Sequence, residues 1–507
     1  MLISGKEMQQ EGMNVMLQCA AGTVEKSKLQ LMPYHRFEVE GRIYAVNADR
    51  FCCKRLDDRT VAFLSAWEGD PRVQPEDDVR SALVKMGLLV GDQGKTCPDP
   101  AAARLERDSR AVAGWLSTDA ARTSSLCLMV AQECNMACVY CYGDAGRYGG
   151  GGLMTVETSC RSVDWLIRHS GGNRKLNLSF FGGEPLLNLP LIRWTVEYAK
   201  QTGEQNGKTF TFSITTNASL ADEAAIDFLR ANQFEVVISF DGTPAAQDKQ
   251  RPFKDGRPSY AEVAPRIKQL LSAFPLACGR ATLYGGTEPG EVLAAMKEIG
   301  FQSCHLVPAS GCLLTGVPEE KALFRRDRER AADLRREAAA FVAAVKRHDP
   351  AEAAYRLKDR DLSRLTSIGS VPFIVRRLFF CGVGRNYLAV DVDGSLYPCH
   401  RFVGMKEYLL GSVSGEEDPP RGLFHESPVT KSEECRQCWL KYVCGGGCTY
   451  TNIASASGPF RPDPTYCRQF GQMMETLLDA AGQLTAEDRE FLYQNNVVAR
   501  PPCPLDF

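Results

Sequence analysis

The sequence contains no apolar run approaching the ~20 residues that a membrane-spanning helix requires, so no spanning segment is expected. It also lacks an excess of charge of either sign. With 60 Lys and Arg against 62 Asp and Glu the formal charge is -2, which argues against a nucleic acid or membrane-surface partner. There is no internal repeat and no low-complexity tract. The opening MLISGKEMQQEGMNVMLQCAAG places acids and glutamines where a signal peptide needs an unbroken apolar region, so a cytoplasmic location is expected. What the chain does have is cysteine, 20 in 507 residues. A cytosol keeps thiols reduced, and clustered cysteines there are more often metal ligands than disulfides. Ten of the 20 fall in two compact arrays. The others, such as Cys19, Cys160, Cys278 and Cys503, are scattered and read as small buried hydrophobes.

A chain this long implies two to four domains. Residues 1–27 read as a loosely ordered tail. From 28 to 97, FEVEGRIYAVN alternates as a β-ribbon, RFCCKRL continues as a strand, and DDRTVAFLSAW and PEDDVRSALVKMGLLV have helical periodicity. That order suggests a winged-helix-like module. A polar linker, 98–122, follows. Between 123 and 312, six apolar strands (SLCLMVAQ, LNLSFFGG, FTFSITTN, EVVISFDG, RATLYGG and SCHLVPA) are separated by amphipathic helices. The pattern predicts an α/β fold, a partial (β/α)6 TIM-like barrel with its site at the strands' C-terminal ends. Residues 313–375 read as a charged helical bridge, solvated on its faces. Residues 376–475 are rich in Cys and Gly and poor in periodicity, as in a segment built on metal sites. Residues 476–507 form a C-terminal segment.

Directly after the first barrel strand, CNMACVYC spaces Cys134, Cys138 and Cys141 as CxxxCxxC. Structural zinc would take a fourth Cys or His, and none is near in sequence. A 4Fe–4S cluster on three thiolates leaves one iron open, so its last ligand can come from outside. Tyr140 lies where its ring can stack on such a ligand. FFGGEP ends the second strand, where Gly182 and Gly183 let backbone approach a ligand closely. Ser213, Asn217, Ser239 and Asp241 add short polar groups on the next strands' rim, suited to ribose hydroxyls or an amino acid moiety.

CNMACVYC, GGEP, TTN and SxDG in this order resemble radical S-adenosylmethionine (SAM) enzymes. The resemblance implies that Cys134, Cys138 and Cys141 bind a reducible 4Fe–4S cluster whose open iron takes SAM. It implies that Gly182, Gly183 and Glu184 meet the SAM amine, and that Ser239 faces the ribose. The expected chemistry is a 5′-deoxyadenosyl radical that abstracts hydrogen from an unactivated C–H bond. The C-terminal array, Cys381-x12-Gly394-x4-Cys399 followed by Cys435-x2-Cys438-x5-Cys444-x3-Cys448 and Cys467, is similar to the SPASM domain of two auxiliary clusters. By the family pattern Cys435, Cys438, Cys444 and Cys467 hold the outer cluster and Cys381, Cys399 and Cys448 the inner one, giving three 4Fe–4S clusters in all. Some relatives carry a further cysteine where this chain has Tyr387, so the inner cluster has an open place, or Cys304 or Cys312 fills it.

The N-terminal module resembles peptide-recognition elements that bind a leader peptide as an added strand. With YPCHRFVG it resembles thioether-forming maturases of the SCIFF-peptide and quinohemoprotein amine dehydrogenase type. The expected partners are a peptide or small protein subunit and an electron donor such as flavodoxin or ferredoxin. Sulfatase-maturase-like oxidation of Cys or Ser and carbon–carbon crosslinking are the alternatives. His400, where sulfatase maturases carry an acid, and Gln247, where they tend to carry a His, count against the former. Asp241, Asp393 and His400, with Arg251, are the candidate bases by location. A plain iron–sulfur electron carrier and a zinc-stabilised adaptor are the remaining readings.

Overall fold

The computed structural model describes residues 30–47, 52–90, 100–285, 287–309, 327–368, 377–455 and 458–499. The tail at 1–27 and Cys312 lie outside them, as do Cys19 and Cys503.

Strands β1 (Gln30–Leu31), β2 (Tyr34–Val39), β3 (Arg42–Asn47), β4 (Cys52–Arg55) and β5 (Leu89–Val90) belong to the N-terminal module. Its three-stranded sheet is antiparallel in the order β2-β3-β4, and β1 pairs with β5. Glu40 and Gly41 form the two-residue β2–β3 turn, both with positive φ (49° and 76°), and this fixes Val39 opposite Arg42. That register puts Ala45 toward helices α1 (Asp58–Gly69) and α2 (Asp77–Lys85), in a core with Phe63, Leu64 and Leu83. Phe37, Tyr44 and Val46 point the other way. Asp57 caps α1 by accepting the Thr60 N–H at 2.7 Å. The expected polar linker is largely helical, as α3 (Pro100–Leu116). Tyr442 donates to the buried Asp108 of α3 at 2.8 Å, tying this helix to the C-terminal cysteine segment.

All six barrel strands form where the sequence predicts them: β6 (Ser125–Ala131), β7 (Lys175–Gly182), β8 (Thr209–Thr216), β9 (Glu235–Ser239), β10 (Cys278–Leu283) and β11 (Ser303–Pro308). They are parallel and adjacent in chain order. The helices α4 (Val156–His169), α5 (Leu189–Gln205), α6 (Glu223–Ala231), α7 (Pro244–Gln250), α8 (Tyr260–Ala273) and α9 (Pro289–Ile299) lie between them. On β7, Leu176, Leu178 and Phe180 are fully buried in the main core, while Asn177, Ser179 and Phe181 take the other, inner face. The sheet does not stop at six strands. β12 (Tyr387–Val390) pairs in parallel with β6, and β13 (Ser395–Tyr397) and β14 (Gly411–Ser412) extend it to nine. The cysteine-rich segment thus shares the barrel's sheet, a long-range pairing that local periodicity does not reveal.

The charged stretch also departs from expectation. Helix α10 (Asp327–Lys346) buries Leu334, Phe341, Val342 and Val345 in a second core. That core includes Phe37, Tyr44 and Val46 from the N-terminal sheet and Met474, Leu477 and Leu478 from helix α11 (Pro464–Gly482). Each such side chain contributes about 1.5–3 kcal/mol of burial, so the bridge is a packed element, and some of its charges are drawn inward too: Arg330 pairs with Asp359 and Asp361, and Glu337 with Lys297 and Arg356. The expected boundary at 475 falls inside α11.

Candidate functional site

The three-cysteine loop is held down by backbone on both sides. Gly183 N–H donates to the Ala131 carbonyl at 2.8 Å and Glu184 N–H to the Glu133 carbonyl at 2.9 Å. Across the loop, Ala137 and Val139 donate to the Pro252 and Gln250 carbonyls at 2.8 and 2.9 Å, and Met136 is buried as an anchor. Gly182 and Gly183 are required here. A Cβ on either would collide with the Ala131 or Glu133 carbonyl, and one on Gly146 would come within 2.6 Å of Gly183 Cα. Glu184 is engaged within the fold. Its carboxylate is fully buried and accepts from Thr216 Oγ1 (2.7 Å), Asn217 N–H (2.7 Å) and Leu186 N–H (3.0 Å). Burial pushes it up to about 7 against the pull of these three donors. Asn217 is likewise turned inward, donating from Nδ2 to Asn135 Oδ1 at 2.9 Å and lying 3.9 Å from Cys134 Sγ. It positions the cysteine loop and is not open to a ribose.

On the rim, Tyr140 donates to Asp241 Oδ2 at 2.6 Å, and Arg251 lies 3.2 Å from Asp241 and 5.3 Å above the Tyr140 ring. Arg251 Nη1 is also 3.9 Å from Cys138 Sγ. Asp241 Oδ1 accepts from Thr282 N–H at 2.9 Å, so this buried carboxylate is fully committed and is not a free base. Gln247 is buried behind it, accepting from Asp241 N–H and donating to Ser259. Ser213 shares a 2.7 Å hydrogen bond with Ser179, and Ser239 lies half-buried on the inner face. Asp393 is excluded from the site, because it sits exposed in the β12–β13 turn and accepts from Ser395 N–H at 2.8 Å. His400 does reach the barrel interior. Its ring is 4.7 Å from Phe181 and 6.2 Å from Tyr142, and its Nδ1 is 2.8 Å from Tyr387 Oη. Burial, and then Arg401 and Arg280, push its imidazole down to about 3, so it is neutral and a weak base.

The C-terminal thiols divide into two neighbourhoods. Cys467, open to solvent on one side, is raised by its protein surroundings and then by Cys444, Cys438 and Cys435. Cys399 is raised by burial and then by Cys448 and Cys381. Backbone amides point at the sulfurs: Met136 N–H at Cys134 and Leu440 N–H at Cys438, each at 3.4 Å, and Gly446 and Gly447 at Cys444. Gly445, Gly446 and Gly447 all have positive φ (74°, 94° and 76°), the conformation that turns these amides inward. Cys304 is fully buried in the main core and does not join Cys381, Cys399 and Cys448. Among the described residues no three His, Cys, Asp or Glu groups stand close enough to grip a single metal ion.

Residues 128–299 match the radical SAM superfamily model. The chain carries a radical SAM domain. It is an enzyme. An uncharacterized protein of Methanocaldococcus jannaschii is 32% identical over 158 residues, 31% of this chain and 52% of the relative, so the chain spans about half of that protein. The cysteine-type anaerobic sulfatase-maturating enzyme of Clostridium perfringens is 23% identical over 382 residues, 68% of this chain and 92% of the relative. The solved structure of native anSMEcpe with bound AdoMet and Cp18Cys peptide matches with a TM-score of 0.57 at 20% identity, over 71% of this chain and 99% of that one. That likeness is one of fold.

The residues of the radical SAM domain fit a thiolate-held cluster. Cys134, Cys138 and Cys141 are soft donors at one loop, sulfur-directed amides stabilise thiolate charge, and the glycine contacts leave backbone bare beside them. Burial pushes Cys134 up to about 12 and Cys138 to about 11, so without a cationic centre these thiols keep their protons. Sequence reasoning missed Thr216, Asn135 and Tyr387 as positioning residues. Of these, Thr216 lies in the TTN stretch and was within reach of a motif argument. Asn135 and Tyr387 act through contacts that no local pattern signals. No described helix is long and apolar enough to cross a membrane.

Proposed function

We propose that the protein uses its radical SAM domain to modify a ribosomally made peptide or small protein subunit, forming bonds between cysteine sulfur and carbon within it. Cys134, Cys138 and Cys141 hold the SAM-binding 4Fe–4S cluster. Cys435, Cys438, Cys444 and Cys467 hold an outer auxiliary cluster, and Cys381, Cys399 and Cys448 an inner one. When bound, these groups and SAM supply removal of a hydrogen atom from an unactivated C–H bond and acceptance of one electron. The chain's own residues do the rest. Gly182 and Gly183 offer backbone to SAM, while Glu184 and Asn217 keep the cysteine loop in place. Asp241 clamps Tyr140 and Arg251 against Cys138, and Ser239 offers its hydroxyl to the ribose. A flavodoxin or ferredoxin serves as donor.

The observation that carries the thioether form is the inner thiol group. Three cysteines influence one another there, and the place where some relatives have a fourth is Tyr387, hydrogen-bonded to His400. A substrate thiolate is the natural fourth ligand. What supports a peptide substrate is the N-terminal sheet, packed on α11, the helix that also carries Cys467. A leader added to that sheet leaves the following residues near the redox groups.

The alignment along 92% of the Clostridium perfringens enzyme favours a second reading, oxidation of a Cys or Ser in a sulfatase-type substrate. Against it stand His400 and the buried Gln247. Anaerobically reconstituted enzyme with SAM, reductant and the cysteine-containing peptide encoded beside its gene separates the two. Thioether formation removes two hydrogens and one alkylatable thiol per event. Conversion of cysteine to an aldehyde establishes the second reading, and loss of hydrogens with every thiol intact points to carbon–carbon bonds.

A further inference from the structure

The inner face of the barrel carries an arginine that no described acid pairs with. Arg280 lies on β10, where Ala281 and Leu283 turn to the main core and Cys278, Arg280 and Thr282 take the inner face. The register aligns Arg280 with Ser239 on β9 and with His305 on β11, so the three side chains form one row across the barrel wall. Arg280 keeps contact with solvent on the inner face although protein surrounds its guanidinium, and among the described residues that guanidinium makes no hydrogen bond or ion pair. The nearby carboxylate is already taken, since Asp241 serves Arg251, Tyr140 and Thr282 N–H.

The surroundings add positive charge. Burial and then Arg401 and Arg251 disfavour the charge on Arg280, with Tyr142 acting the other way. On the β11 side, the exposed Arg360 places Nη1 3.5 Å from His305 Nδ1 and 4.0 Å from Cys278 Sγ. Burial, and then Arg360, Arg280, Arg364 and Arg330, push His305 down to about 3. An arginine cannot shed its proton, so the wall carries its charge permanently. A planar fork of donors open to such a cavity matches a carboxylate bidentately.

We propose that Arg280 is a substrate-binding residue that receives a carboxylate, an acidic side chain of the peptide, in the row it shares with Ser239 and His305. This rests on the peptide-modifying reading and narrows its substrate class to peptides with an Asp or Glu at the position presented to the barrel. SAM carries a carboxylate too. Arg251, 3.9 Å from Cys138 Sγ, is the guanidinium beside the cysteine loop, and Arg280 stands on the strand beyond it, toward the sheet edge.

The test uses reconstituted wild-type holoenzyme and labelling of Arg280 by phenylglyoxal, read by peptide mass mapping. Three probes are compared: SAM alone, N-acetyl-aspartate amide with SAM, and N-acetyl-asparagine amide with SAM. The expected result is about tenfold slower labelling with the aspartate probe than with the asparagine probe, and little protection by SAM alone. Protection by SAM alone equal to that by the aspartate probe assigns Arg280 to SAM and overturns the proposal. Equal labelling with the two amides overturns it as well. In parallel, Arg280→Gln lowers kcat/KM for the peptide about 10- to 100-fold, chiefly through KM, and Arg280→Lys recovers part of the loss. Turnover within threefold of wild type in Arg280→Gln refutes the assignment. If wild type cleaves SAM yet modifies no peptide, the functional reading fails, while the labelling still decides what Arg280 binds.

Discussion

Asp479→Ala tests whether the N-terminal module is fixed to the C-terminal segment or merely tethered. Asp479 Oδ1 accepts from Arg42 Nε and from Tyr44 Oη, both at 2.7 Å, and Oδ2 accepts from Arg42 Nη2 at 3.0 Å. Its side chain is 8% exposed against 21% for Arg42, and Tyr44 is only 1% exposed. Removing the carboxylate strands the Tyr44 hydroxyl, at a cost of about 1–3 kcal/mol. Arg42 loses a bidentate pair but keeps Glu40 at 3.0 Å near solvent, so its share is about 1–2 kcal/mol. The sum, about 2–5 kcal/mol, corresponds to a roughly 30- to 4,000-fold rise in opening of the junction. Native-state hydrogen exchange of the β2–β4 amides reads this directly. Those amides are expected to exchange at least about 30-fold faster, with the barrel strands unchanged. Arg42→Ala combined with Asp479→Ala is expected to show a coupling of about 1–2 kcal/mol. A shift below about 0.5 kcal/mol in opening, or no coupling, refutes the argument that this carboxylate locks the module. With the junction loosened, peptide turnover falls while SAM binding does not.

Further outcomes follow from the site. Glu184→Gln turns an amide NH2 toward one of three donors and is expected to destabilise the domain by about 2–4 kcal/mol, measured by anaerobic denaturant unfolding. Gly183→Ala forces the loop away from Glu133 and abolishes SAM binding measured by equilibrium dialysis, while Gly207→Ala in a site with open space does not. Cys399→Ser and Cys467→Ser each reduce bound iron by about four atoms per chain. Cys304→Ser, in the core, leaves iron content unchanged and lowers stability; iron loss in Cys304→Ser would return that residue to the inner group.

The legible parts of this protein were those whose signal is local. The six strands, their helices and the CxxxCxxC loop follow from alternation and spacing within short windows, because side-chain direction in a strand is fixed by the backbone itself. The glycines at 182 and 183 were readable for the same reason, since a bare backbone is a property of the residue. The fates of Glu184, Asn217 and Asp241 were not readable. Each looked free to meet a ligand, and each is engaged by a group from another element: Thr216 on β8, Asn135 in the cysteine loop and Arg251 at the end of α7. Asp393 appeared close to the cysteines along the chain, yet the β12–β13 turn carries it to the surface.

By itself the sequence determined the element types, the thiol spacing and the chemistry those thiols suit. Only the tertiary structure decided that β12 joins β6, that α10 is packed and not solvated, and that Arg280 makes no hydrogen bond or ion pair among the described residues. The reason is physical. Whether a charge or hydroxyl is free depends on which distant donors and acceptors folding brings against it, and burial then forces every such pair to be made or left open for a ligand.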